Sequence, residues 1–174
     1  SGSVGLAAVQ LAVGAGCTVV GTAGTAGGMD AVHAAGGIAL NHRSEGYLAK
    51  AVSALGSGRK FSSVLEMAAH ANLIGDLGVL ATGGKLGVIG SKAKPIEFNP
   101  RLLMAPEISV MGIFLGTSTP EDKEEIHAGL YKAMEAGTHT PVVGMRLPLE
   151  EAARAHKEVM EPSTGGAIGN IVLE

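Results

Sequence analysis

The chain has no tryptophan, two tyrosines and three phenylalanines among 174 residues, so its apolar fraction of 46% is carried mainly by alanine, with leucine and valine next. Side chains that small let helices lie close on a sheet, as layered α/β folds require. Cys17 is the one cysteine, which excludes an internal disulfide and any multi-cysteine zinc site. Set in a β-branched run, it reads as a buried, inert thiol in a strand. No apolar run approaches the ~20 residues that cross a bilayer. The first residues also lack the basic-then-apolar layout of a signal peptide. Thirteen Lys and Arg stand against sixteen Asp and Glu, a net charge of −3. That balance offers no general attraction to acidic membranes or nucleic acid, and there are no basic stripes interleaved with aromatics for RNA. A cytoplasmic protein with a substantial core is the expectation.

What the chain does have is glycine, 27 residues of it, and the first cluster sits at the start. Ser1-Gly2-Ser3-Val4-Gly5 runs into the small-residue stretch Leu6-Ala7-Ala8-Val9-Gln10-Leu11-Ala12. Gly-x-x-Gly opening a helix is the second half of a dinucleotide fingerprint, in which the backbone approaches a pyrophosphate at a helix N-terminus. For five residues alone, an ordinary glycine turn before a helix explains the pattern equally well. Cys17–Thr22 then reads as a strand, which makes loop, helix and strand in order. A fingerprint needs a strand immediately before it. None precedes Ser1, so the chain reads as a piece that lacks its first Rossmann strand.

Alternation continues. Thr25 caps a helix with Met29, Val32 and Ala35 that stops at Gly36-Gly37, and Ile38–His42 is extended. Ser44 opens a helix with Tyr47, Leu48, Val52 and Leu55 on one face, followed by a strand over Phe61–Met67. Leu73, Leu77 and Leu80 mark a helix ended by Gly83-Gly84, before a strand over Leu86–Gly90. Asn99-Pro100 starts a short helix, and Ile108–Leu115 is a last apolar strand. Thr119-Pro120-Glu121-Asp122 is a strong helix start, and that helix should bury Ile126, Leu130 and Met134. Pro141–Leu147 is extended, Leu149–Met160 helical, and Ile168–Leu173 a closing strand. Strands alternating with helices predict a doubly wound, Rossmann-type parallel sheet.

A Rossmann domain that binds NAD usually has an acid about 20 residues past the glycine loop to hold the ribose hydroxyl. Here Gly21-Thr22-Ala23-Gly24-Thr25 supplies none, and the first carboxylate is Asp30. Nothing there repels a 2′-phosphate, which points to NADPH.

The chain resembles the zeta-crystallin or quinone oxidoreductase family, the zinc-free branch of the medium-chain dehydrogenase/reductase superfamily. The resemblance rests on Gly2–Gln10, Gly21–Thr25, Asn41-His42-Arg43, Glu66-Met67, Asn72-Leu73 and Gly83-Gly84 through Ile89-Gly90-Ser91. Ile96–Arg101, Pro148-Leu149-Glu150 and Ala155-His156 continue it. It implies that residues 1–116 are a dinucleotide-binding domain without its first strand. Residues 117–174 would return to a GroES-like catalytic domain outside this chain. By the same resemblance, Ser1, Gly2, Ser3 and Val4 hold the pyrophosphate, while Gly24, His42 and Arg43 lie at the adenosine end. Asn72, with a helix cap as its simpler reading, contacts the cofactor, and Ile89, Gly90, Ser91 and Lys92 approach the nicotinamide ribose. Ile113, Phe114 and Leu115 lie beside the nicotinamide. Lys92 stands where the subgroup commonly has arginine, Gly28 where many members have lysine, and Asn170 where a lysine is usual. No metal ligand set and no catalytic acid or base is assigned.

The resemblance implies an NADPH:quinone oxidoreductase in the full-length protein, acting on a small-molecule quinone. The alternatives are an enoyl or alkenal double-bond reductase and a non-catalytic crystallin-like or RNA-binding protein. A homodimer or homotetramer through the edge strand 109–115 is expected, with no membrane partner. With strands two and four each lacking a ladder partner, the isolated chain is expected to be unstable and inactive. His33, His70, His127, His139 and His156 share no metal spacing and read as surface or helix-end residues.

Overall fold

Each short β-branched or apolar run up to Gly112 becomes a strand and each small-residue stretch a helix in the computed structural model, which describes residues 1–163 and 168–174. Helix α1 (Ser3–Gly14) precedes β1 (Val20–Ala23), α2 (Ala26–Ala34) precedes β2 (Ile38–Asn41), and α3 (Tyr47–Ala54) precedes β3 (Phe61–Glu66). Then come α4 (Ala69–Val79), β4 (Leu80–Val88), α5 (Arg101–Met104) and β5 (Ser109–Gly112). The last stretch holds α6 (Pro120–Glu135), β6 (Val143–Leu147), α7 (Ala152–Met160) and β7 (Asn170–Leu173).

All strand pairs are parallel: β1 with β2, β3 with β4, β4 with β5, and β6 with β7. Parallel neighbours need a crossover, and α2 and α4 supply it for the first two pairs. The α/β, Rossmann-type character is therefore present, carried by a two-stranded sheet β1–β2 and a three-stranded sheet β3–β4–β5. Within each sheet, β1 and β3 pair on one side only.

The chain forms two compact units, one of Ser1–Tyr47 with Glu124–Glu174 and one of Leu48–Lys123. In the first, Leu6 and Val9 of α1, Ala23 of β1 and Val32 of α2 are buried. Thr25 starts α2 as expected, its hydroxyl accepting the Gly28 N–H at 3.1 Å. The second unit is centred on Leu73, Leu77, Leu80, Leu86 and Ile108, with Phe61, Val64, Val88, Ile96, Phe98 and Leu103 packed around them.

Several expectations are corrected. Strand β1 begins at Val20, not Cys17, because the Cys17 N–H turns back to the Ala12 carbonyl at 2.9 Å and closes α1. Cys17 is consequently exposed, not buried. Leu80 opens β4 instead of completing the helix before it. A register shift between Phe61 and Ser63 lets β4 run through Gly83-Gly84. Strand β5 stops at Gly112, and Leu115–Thr117 coils into a 3₁₀ turn. Helix α6 buries no side chain, with Ile126 42% and Met134 45% exposed. Its start is as expected: Thr119 Oγ1 accepts the Asp122 N–H at 3.1 Å, and Asp122 Oδ2 accepts the Thr119 N–H at 2.9 Å. Among the described residues, no helix is long and apolar enough to cross a membrane.

Candidate functional site

In the first unit, Gly2 caps α1 and offers no side-chain oxygen, and the first turn of the helix holds no acid. The N–H groups of Ser3, Val4 and Gly5 have no acceptor within the helix, so they form a weakly positive end open to an anion. Ser1 is held beside the end of β1 and the start of α2. Its amino group reaches the Thr22 carbonyl at 3.4 Å, and a Cβ at Gly28 would stand 2.8 Å from its hydroxyl. Gly2 also forms a parallel bridge with Gly169.

The ends of β1 and β2 bring Gly24, His42 and Arg43 together. The His42 N–H donates to the Ala23 carbonyl at 3.1 Å, and Asn41 Oδ1 accepts the Arg43 N–H at 2.8 Å. A Cβ at Gly24 would stand 2.8 Å from Arg43 Nε and 3.0 Å from His42 Nε2. Both side chains therefore lie over bare backbone, and any larger residue at position 24 would displace them. Burial, and then the neighbouring Arg43 charge, hold the His42 imidazole below its ordinary range. His42 is thus a neutral hydrogen-bonding group at pH 7, while Arg43 supplies the fixed positive charge and a planar set of donors.

In the second unit, the ends of β3 and β4 gather Asn72, Ile89, Gly90, Ser91 and Lys92. The Glu66 carbonyl accepts both the Ile89 N–H (2.9 Å) and the Gly90 N–H (3.2 Å), and the Gly90 carbonyl accepts the Ala69 N–H (3.0 Å). A Cβ at Gly90 would come within 2.4 Å of the Met67 carbonyl oxygen, so only glycine fits this crossing. His70 Nδ1 accepts the Lys92 N–H at 3.2 Å, and the Ser91 hydroxyl donates to the Lys92 carbonyl at 3.1 Å. Ile113 joins the same edge through its N–H to Val88 at 2.9 Å, and Phe114 and Leu115 beyond it are 75% and 65% exposed.

Asn72 is not a helix cap. It lies in the first turn of α4 behind Ala68, and its side-chain amide donates to both Glu66 carboxylate oxygens at 3.2 and 3.3 Å. His139 is a helix-end residue, as one of its two readings had it: it follows α6, and its N–H reaches the Ala133 carbonyl at 3.2 Å. It is buried, with Nδ1 2.8 Å from Gln10 Oε1, which also accepts the Thr140 N–H. Asn170 bonds the Val142 carbonyl at 3.1 Å and opens β7. Sequence reasoning missed Asp76, which is buried on the same face of α4 as Asn72 and, among the described residues, has Oδ2 unpartnered. The signal was an acid three residues after Leu73, on the face that α4 buries. Among the described residues no three His, Cys, Asp or Glu side chains gather to hold a metal ion.

Comparison with known proteins agrees with this architecture. The family model described as zinc-binding dehydrogenase matches residues 3–134. Human quinone oxidoreductase is 40% identical over 99% of the chain and 52% of its own length. The chain thus spans about half the length of the curated relatives it matches. A mycobacterial protein solved with NADPH superposes with a TM-score of 0.83 at 26% identity, covering 99% of this chain and 55% of that one. For the quinone oxidoreductase of Thermus thermophilus, also described with NADPH, the values are 0.77, 27%, 95% and 52%. The chain belongs to the zinc-binding dehydrogenase family and, within it, is similar to the quinone oxidoreductases.

Proposed function

We propose that residues 1–116 are the dinucleotide-binding part of a cytoplasmic, NADPH-dependent quinone reductase, and that residues 117–174 are shared with its catalytic domain. The observation that carries the cofactor choice is the cluster of Arg43 and His42 over the bare backbone of Gly24. No carboxylate lies between Gly21 and Thr25 to repel a 2′-phosphate. The human relative named a quinone oxidoreductase, and the solved relatives described with NADPH, support the same reading.

In this reading Ser1, Gly2, Ser3 and Val4 would receive the pyrophosphate, and Gly24, His42 and Arg43 the adenosine ribose with its phosphate. Asn72 and Ile89–Lys92 would hold the nicotinamide ribose, with Ile113, Phe114 and Leu115 beside the ring. Bound NADPH supplies the reducing equivalents, and the chain's own work is to bind and orient it. In this reading the chemistry runs without zinc. Two copies would pair through strand β5, an outer strand whose Val110 and Met111 are 40% and 43% exposed.

Titration of the full-length protein by nicotinamide fluorescence tests the cofactor choice. NADPH should bind at least about tenfold tighter than NADH, since a charge-assisted hydrogen bond contributes roughly 1.5–3 kcal/mol. Arg43→Ala should remove most of that preference and leave NADH unchanged. Equal affinities in the unsubstituted protein would reject NADPH selectivity. Assays with an ortho-quinone and an enoyl thioester then decide the reaction, and turnover of the thioester alone would reject the quinone.

A further inference from the structure

We infer that Asp76 holds a proton beside the Glu66 carboxylate at the junction of β3 and α4 and that the two act as a positioning pair. Asn72 and the Gly90–Lys92 turn then hold the nicotinamide half of the cofactor only while that proton is retained. The inference rests on the dinucleotide-binding reading above and extends it to two residues with no direct role there.

Both side chains are buried, Glu66 at 7% and Asp76 at 6% exposure. The Glu66 carboxylate accepts the Ala68 N–H and the Asn72 amide, while its backbone carbonyl accepts the N–H groups of Ile89 and Gly90. One residue therefore ties the first turn of α4 to the start of the turn after β4. Asp76 lies one helical turn beyond Asn72 on the same buried face of α4, which brings its carboxyl beside the Glu66 carboxyl that Asn72 bonds. Among the described residues its Oδ2 has no partner. Two buried carboxyl groups side by side favour one proton, because two bare carboxylates only accept and repel. Burial first, and then Glu66, push the Asp76 carboxyl up to about 8.

Other charges nearby are committed elsewhere or face solvent. His70 of α4 accepts the Lys92 N–H, and Lys60 donates to the Gly78 carbonyl at the far end of the helix. Lys50 of α3, Lys85 of β4 and Arg101 of α5 are exposed. Among the described residues, the charged group facing Asp76 is Glu66. When that proton leaves, repulsion acts between the end of β3 and α4, the two elements that hold Asn72 and Gly90. Linkage makes the effect reciprocal: if proton loss weakens NADPH binding, NADPH binding must draw a proton in.

The test is NADPH titration of the full-length protein from pH 6.5 to 9.5, with Asp76→Asn and Glu66→Gln as variants. Adenosine 2′,5′-bisphosphate serves as a probe for the adenosine half alone. NADPH affinity should fall at least about fivefold above a midpoint near pH 8, the lower end of typical coupling between sites. The bisphosphate should bind equally at pH 7 and 9.5. Asp76→Asn should abolish the fall, and Glu66→Gln, a second variant at the other carboxyl, should move its midpoint down by about a pH unit or more. Calorimetry at pH 8 in buffers of different ionisation heat should show proton uptake on NADPH binding, lost in Asp76→Asn. A flat NADPH profile, an unchanged profile in either variant, or binding without proton uptake overturns the pair. Failure of NADPH to bind at any pH overturns the cofactor reading and this inference with it.

Discussion

A methyl group at Gly90 would collide with the backbone oxygen of Met67, which cannot rotate away as a side chain could. Gly90→Ala should therefore cost roughly 1–3 kcal/mol, the usual range for overpacking. It would appear as a lower denaturant midpoint with unchanged slope, and an unaltered midpoint would refute the crossing. Asp76 makes a second prediction, about stability alone. Its folded-state carboxyl keeps a proton up to about pH 8, whereas the unfolded chain releases it near 3.8. The folded state thus holds more protons through that window, and stability drops as pH rises across it, then levels off above 8. Asp76→Asn lacks this loss, so its melting temperature should pull ahead of the natural protein's between pH 5 and pH 8. A constant gap would argue against the raised carboxyl. That Gly24, His42 and Arg43 meet at neighbouring strand ends was legible in the sequence, because the turn signals that stop both strands are local. Asp76 was not, because a lone acid inside a helix reads as solvated until its neighbours are known.

Among the elements, α6 depends most visibly on a local device, the reciprocal bonds between Thr119 and Asp122. Thr119→Ala should cost about 1 kcal/mol and Thr119→Ser much less. Equal denaturation curves for all three proteins would show the cap to be idle. Capping residues, glycine stops and the alternation of strand with helix were readable because each acts over three or four neighbours. Element boundaries were less so. The Cys17 amide is used to finish α1, and Leu80 turns extended as soon as α4 ends, choices made by hydrogen bonds that hydrophobicity does not report. The apolar positions of α6 were also misassigned. Helical spacing says which residues share a face, but not whether another surface covers it.

At the scale of the molecule, exposed apolar side chains on β5 are the feature that most demands a partner. If two copies pair there, Met111→Arg should give a species of half the mass in sedimentation without lowering NADPH affinity. A dimer that persists would move the interface elsewhere. Parallel pairing among β1 to β5 was foreseeable from sequence, since each of these strands is separated from the next by a helix-forming stretch. The gathering of Glu124–Glu174 with Ser1–Tyr47 was not, because contacts between distant segments leave no periodic trace. The bend that exposes Cys17 has a practical corollary. Its sulfhydryl is unique in the chain and lies beyond the far end of a twelve-residue helix, about 18 Å from Gly2. Within this segment a maleimide dye would attach at that one position, clear of the glycine turn. Mixing donor- and acceptor-tagged batches would then report self-association optically, at dilutions where sedimentation has no signal.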